Sequence, residues 1–421
     1  MRGTLPVLTM FLGSPILLAL SGGAVSGPSA GPPNSSLALA GATIYVNPTD
    51  EPIRDGIILI HDGKISAVGS HANVPIPRDA QVLDCSGFTI TAGLWNSHVH
   101  FFERKWANVA AIPAPELSRQ LQAMLTRFGF TSVFDLGSVW ENTRLLRSRI
   151  ESGEVPGPRI RSTGEALVPA GGLPSDIVLS MMGSMKLPAP EISNDEQAAA
   201  AARRLLDEGV DGIKLFASAP RSTPLSESTL HAAVLEAHRA GKPVFVHPNN
   251  GTDVLTAVRA GVDIIAHTTP HSGPWDDTLL AAMKEHRVAL TPTLTLWKSY
   301  MRHDRISAED QVTNTELGQL RAWLATGGAV LFGTDIGAID YDPAEEYSLM
   351  SQAGMSFRQI LASLTTAPAE RFGNANELGR IAPGFHADLT VFKGNPAEDL
   401  RALTAVQYTL RDGKIIYRAN N

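Results

Sequence analysis

The 421-residue chain contains a single cysteine, Cys85. No disulfide can form within it and no multi-thiolate metal site can be built, so any metal must rest on nitrogen and oxygen donors. Positive charge is not in excess: 35 Lys and Arg stand against 42 Asp and Glu, for a formal net charge of -7. That balance leaves no electrostatic footprint for nucleic acid or an anionic membrane surface, and a small molecule is the expected partner. No glycine-rich phosphate loop follows any apolar run, which weakens a doubly wound open-sheet reading. Aromatic residues make up only 6% of the chain, so the places where tryptophan does occur carry information.

Charge is missing altogether between Arg2 and Asp50, and Leu5 to Leu20 is largely apolar. A basic start, an apolar middle and the small-residue run Ser21-Gly22-Gly23-Ala24-Val25-Ser26 resemble a secretory signal. Pro6 and Pro15, and the shortness of the run, argue against a spanning helix. Residues 1–26 are therefore expected to be a signal peptide for a secreted or periplasmic protein, with no membrane contact beyond the export signal. An uncleaved amino-terminal membrane anchor is the alternative. Residues 27–36, rich in Gly, Pro and Ser, read as a linker.

Hydrophobic residues make up 43% of the chain, ample for one large domain with a smaller companion. Residues 37–91 read as short strands and turns: Ala42 to Val46, Gly56 to Ile60, then the Asp62-Gly63 turn before Lys64 to Val68. Residues 376–421 repeat this chemistry in Ala387 to Phe392, Val406 to Leu410 and the run after Asp412-Gly413. Both chain ends are expected to build one small β-sandwich.

Between them, residues 92–375 alternate β-rich runs with helical stretches such as Leu117 to Phe128, Gln197 to Glu208 and Ser226 to Ala240. Eight strands are predicted: Thr89 to His100, Ser132 to Leu136, Arg159 to Thr163, Gly212 to Phe216, Pro243 to His247, Asp263 to His267, Val288 to Pro292 and Val330 to Asp335. Eight βα units over that length fit an α/β fold, a (β/α)8 TIM barrel, with catalytic groups at the carboxyl ends of the strands. A doubly wound open sheet is the main alternative.

His98 and His100 close the first of these strands. Residues i and i+2 of a strand face the same side, so both imidazoles can reach one ion. Alone the pair is a weak signal, since two polar histidines at a strand end are common. Four further apolar runs carry a metal-competent side chain: Lys214 on the fourth strand, His247 on the fifth, His267 on the sixth and Asp335 on the eighth. Lys214 stands out because lysine inside an apolar strand is rarely buried without a partner.

With Gly93-Leu94-Trp95-Asn96-Ser97-His98-Val99-His100, Thr366-Ala367-Pro368-Ala369-Glu370-Arg371-Phe372-Gly373, and Gly379 to Asp388, this set resembles the amidohydrolase superfamily, in its binuclear subtype with a carboxylated lysine. Within it the resemblance is to the imidazolonepropionase-like, Xaa-Pro dipeptidase-like and ochratoxin-type amidase branches. It implies two divalent metal ions, with zinc the default for imidazole and carboxylate donors. His98, His100 and Asp335 would hold one ion, His247 and His267 the other, and an N-carboxylated Lys214, formed with carbon dioxide, would bridge them. It also implies a metal-bridging hydroxide as nucleophile and Asp335 as the catalytic proton carrier. An unmodified Lys214 paired to an acid, with a mononuclear site, is the competing reading. Some relatives place a tyrosine shortly after the fourth strand; here Phe216 to Arg221 holds none, which counts against a hydantoinase or dihydroorotase.

Trp106, Trp140, Trp275 and Trp297 fall in or beside loops on the predicted metal face, and if they line the cleft the substrate carries a bulky apolar group. His271 follows His267 closely and is a candidate substrate contact. Arg221 and Lys105 could pair with a substrate carboxylate. The expected activity is hydrolysis of a C–N amide bond in a dipeptide such as Xaa-Pro, an N-acyl amino acid or an aryl amide. Cyclic amide, lactone or phosphoester hydrolysis at the same site is the runner-up, and self-association into a homo-oligomer stays open. A non-catalytic exported binding protein is the reading from another class, but a binder needs no proton carrier such as Asp335.

Overall fold

In the computed structural model, which describes residues 36–172, 189–219, 222–303, 309–339 and 341–420, the chain passes from one sheet into another at Gly93. The expected signal peptide, the expected linker apart from Ser36, and Arg221 lie outside the described residues. The run predicted as one strand from Thr89 to His100 is two: β5 (Phe88–Ala92) and β6 (Leu94–Val99) follow β1 (Leu37–Ile44), β2 (Ile53–His61), β3 (Lys64–Ser70) and β4 (Gln81–Asp84). Gly93 makes the change of sheet sterically feasible. A Cβ there would stand 2.2 Å from Thr131 Oγ1, while its N–H donates to Asp388 O at 2.7 Å.

Three parallel strands come next: β6, β7 (Phe130–Gly137) and β8 (Arg159–Glu165). After the short parallel pair β9 (Val168–Pro169) and β10 (Glu191–Ile192), a five-stranded parallel sheet runs in sequence order. It comprises β11 (Ile213–Phe216), β12 (Val244–His247), β13 (Ile264–Ala266), β14 (Ala289–Thr291) and β15 (Ala329–Val330). The strand predicted to reach Asp335 thus ends early, and Asp335 sits on the irregular segment after β15. Single parallel bridges, Leu167 to Leu215 and Val99 to Ile336, link the two parallel sheets at both edges.

Helices separate these strands, and their starts follow local chemistry. Asn194, Ser226, Asn250 and Asp276 each accept the backbone N–H three residues on, satisfying an otherwise orphaned donor. Alternation along the strands sends Trp95, Phe134, Phe245, Ile264, Ala289 and Leu331 into one buried cluster with Phe372.

The last three strands, β16 (Leu389–Lys393), β17 (Val406–Arg411) and β18 (Lys414–Arg418), return to the first sheet. Its order is β18-β17-β16-β5-β1-β2-β3, with β4 beside β1, so both chain ends share one hydrogen-bonded sheet. The Asp62-Gly63 and Asp412-Gly413 hairpins both have positive φ at each turn residue, the twist that suits right-handed strands. Arg159, at the start of β8, ties this sheet to the parallel strands through Asp388 at 3.1 Å and through Asp412.

Candidate metal centre

Three backbone hydrogen bonds or bridges bring the segment after β15 against the end of β6. Asp335 N donates to His98 O at 2.9 Å, His100 N donates to Ile336 O at 2.8 Å, and Val99 bridges Ile336. Gly337 permits this approach: its φ is +99° and a Cβ would fall 2.2 Å from His100 O. Asp335 Oδ1 then lies 2.9 Å from His98 Nε2 and 2.6 Å from His100 Nε2.

The other imidazoles follow in a chain. Ring centroids of His98 and His267 are 4.7 Å apart, and those of His267 and His247 also 4.7 Å. One donor atom each from His98, His267 and Asp335 falls within 4.8 Å of the others. Lys214 is 1% exposed, and its Nζ has no hydrogen-bond partner. Its Nζ lies 5.6 Å from the centre of the Phe216 ring. The structure therefore brings His98, His100, Lys214, His247, His267 and Asp335 together at one end of the parallel strands.

Burial sets the protonation of this cluster. It pulls His98 and His247 down to about 3, with Lys214 adding to the effect, and His267 well below its ordinary value. Neutral imidazoles with free lone pairs are what a metal needs. Lys214 is pushed down to about 7 by burial, against the attraction of Asp335. Burial alone would raise Asp335, but His98 and His100 hold it well below the usual carboxylate range.

Neighbouring hydrogen bonds choose which nitrogen is free. Thr293 Oγ1 donates to Pro292 O at 2.9 Å, so at 2.6 Å from His267 Nδ1 it must accept the ring proton, leaving Nε2 as the lone pair. Asn249 spends its amide N–H on Ser218, so its Oδ1, 3.4 Å from His247 Nε2, accepts from that ring. His247 is left with Nδ1 free. Three non-glycine residues here have left-handed backbones: His267 at φ 77°, Thr293 at 44° and Asp335 at 62°. Such strain, of order 1–3 kcal/mol each, persists only where surroundings over-determine it.

Of the tryptophans expected to line a cleft, three do not. Trp106, Trp140 and Trp275 are buried in the main core. Their indole N–H groups are spent on Glu103, Glu208 O and Thr269 Oγ1. Core packing and a fixed indole partner hold each of them inward. Trp297 is half-buried, 6.5 Å from the His247 ring and 5.3 Å from that of His271, which is exposed. Lys105 is held by Glu103 at 2.8 Å and lies over Tyr341.

Several residues of the site escaped the sequence reading. Phe102 packs on His100 and Phe216 on His247, both at 4.6 Å between centroids, giving the cluster apolar walls. Asp135 is fully buried and its carboxyl is pushed up by burial, although Ser138, Ser162 and Thr143 donate to it and His100 lies near. An acid inside the apolar run Phe134-Asp135-Leu136 was the signal that could have found it.

The chain belongs to the amidohydrolase family, which it matches over residues 89–417. It is thus a hydrolase acting on carbon–nitrogen bonds. It is similar to the ochratoxinase of Aspergillus niger, 23% identical over 408 residues that cover 87% of this chain and 83% of that protein. In three dimensions it is similar to a Xaa-Pro dipeptidase with methionine bound in its active site, with TM-score 0.77, 23% identity, and coverage of 91% of this chain and 100% of that one. A prolidase in complex with N-methylphosphonate-L-proline compares at TM-score 0.75 and 26% identity, covering 91% of this chain and 100% of the other.

Proposed function

We propose that this protein is an exported, metal-dependent amidohydrolase that cleaves the C–N bond of a dipeptide such as Xaa-Pro, an N-acyl amino acid or an aryl amide. The observation that carries the reading is the convergence of four imidazoles, a buried lysine pushed down to about 7 and an Asp335 held well below the usual carboxylate range in one cluster. Lys214 Nζ is buried without a hydrogen-bond partner, a state that costs free energy unless something else engages it.

In this reading His98, His100 and Asp335 would hold one divalent ion and His247 and His267 a second. The Lys214 amine, when neutral, could add carbon dioxide, forming an N–C bond and releasing a proton, and the resulting carbamate would offer two further oxygen donors to the metal centre. When bound, the ions supply carbonyl polarisation and a water acidic enough to ionise near neutral pH. Asp335 accepts a proton from the attacking water and returns it to the departing amine. Phe102, Phe216 and Trp297 favour a substrate with a bulky apolar group beside the scissile bond. The names of the ochratoxinase and the prolidase support amide substrates of this kind.

The reading extends to the architecture. We infer that residues 92–375 form a closed (β/α)8 barrel, supported by the bridges at both edges of the parallel sheets and by the cluster their strands share. Residues 37–91 and 376–421 would form the β-sandwich, supported by the separate apolar cluster among their strands. Residues 1–26 would direct export, which sequencing the amino terminus of material from the medium or periplasm would check.

The test is a screen of zinc-loaded protein over Xaa-Pro dipeptides, N-acyl amino acids, aryl amides, cyclic amides, lactones and phosphotriesters. Turnover of one of the first three classes is expected. Turnover confined to lactones or phosphotriesters would replace the amide reading.

A further inference from the structure

We propose that Glu346 is a positioning residue of the metal centre, clamping the first turn of the helix Leu294–His303 and, through that turn, setting Thr293, His267 and Trp297. This rests on the metal-dependent reading above. Glu346 lies on the helix Ala344–Gln352 and is completely buried. Its Oε1 accepts the Leu294 N–H at 2.9 Å; its Oε2 accepts the Thr295 N–H at 2.9 Å and the Thr295 hydroxyl at 3.0 Å. Helices usually cap themselves with a residue at their own start. Here both carboxylate oxygens come from 52 positions away in the chain.

A buried carboxyl is an expensive way to cap a helix, and burial pushes this one up to about 7. What it secures is the residue just before the turn. Thr293 is β-branched with φ at 44°, a backbone it would leave if its neighbours were free. Held there, its hydroxyl bridges Pro292 O and His267 Nδ1, and so selects the His267 tautomer whose Nε2 faces the cluster. The same helix carries Trp297, whose Nε1 donates to Thr268 O at 3.0 Å, next to His267. Glu316 braces the other side, accepting the Thr268 hydroxyl at 3.0 Å.

Zinc affinity of chelator-stripped protein, measured by competition with a chromophoric chelator, tests this without knowing the substrate. Glu346→Gln keeps the shape but turns an N–H donor toward one of the two backbone donors. It is expected to weaken zinc binding about 10- to 100-fold, the range for lost support of a ligating histidine. Thr293→Val should do the same and Thr293→Ser should restore affinity to within about threefold. Val391→Ala, in the core of the terminal sheet, is the control for general destabilisation and should leave affinity unchanged. If Glu346→Gln unfolds, the Thr293 pair decides. Equal zinc affinity in Thr293→Val and the parent overturns the proposal while leaving the metal reading intact. A parent that binds no zinc overturns both.

Discussion

His100 Nε2 and Asp335 Oδ1 stand 2.6 Å apart although 235 positions separate them in the chain. With His98 on the same carboxylate oxygen, two imidazoles keep Asp335 ionised where burial alone would neutralise it. A group held in that state can serve as ligand and proton acceptor together.

Asp335→Asn keeps one ligand oxygen but cannot accept a proton. Zinc content by metal analysis should stay near the parent's while kcat falls by roughly 10²- to 10⁴-fold. Parental turnover in this variant would remove Asp335 as proton carrier.

Lys214→Ala removes the proposed bridge. Metal per chain should fall from close to two ions to one or fewer, and activity should vanish, returning in part with a short carboxylic acid such as propionate. Undiminished activity would discard the bridging role, and one ion per chain in the parent would point to a mononuclear centre.

Chelation should also lower stability, because an ion that binds only the folded state adds about 2.7 kcal/mol when present at 100 times its Kd. Melting followed by circular dichroism should show Tm dropping on chelator treatment and recovering with added zinc. An unaltered Tm would mean that the cluster does not bind an ion tightly.

Gly337→Ala places a methyl against His100 O on a left-handed backbone. The segment must retreat, so a loss of about 2 kcal/mol or more and much weaker zinc binding are expected. Denaturant unfolding and metal titration read the two effects, and a variant equal to the parent in both would show that the close approach does not matter.

The pH dependence of stability tests the buried acid. Burial raises the Glu346 carboxyl from 4.5 to about 7, so folding favours its protonated form. That contribution is fully present below about pH 4.5 and is lost as pH rises through about 7. Glu345, Glu316 and Lys298 lie near but stay in place in Glu346→Gln. The Tm difference between metal-free parent and Glu346→Gln should therefore narrow from pH 5 to pH 8. A widening gap would contradict the shift.

Periodicity made the alternation of strands and helices legible, and the tight turns at Asp62-Gly63 and Asp412-Gly413 were readable because their chemistry is local. The change of sheet at Gly93 was not legible, since Phe88 to Val99 reads as one continuous β-rich run and only the approach of Thr131 distinguishes the two halves. The tryptophans failed for a related reason. Trp106 and Trp297 both sit beyond strand ends, yet one is sealed in the core and the other stands near His247. Loop position says nothing about which way a ring turns.

Residue identity and spacing along the chain were enough to mark six metal-competent side chains that fold into one cluster, exclude thiolate chemistry and name a family, because donor type and strand period are written locally. Folding alone decided that Thr293 selects a tautomer of His267 and that Glu346 grips a distant turn. Those relationships join residues that share no local pattern, and their geometry exists only once the chain has packed them together.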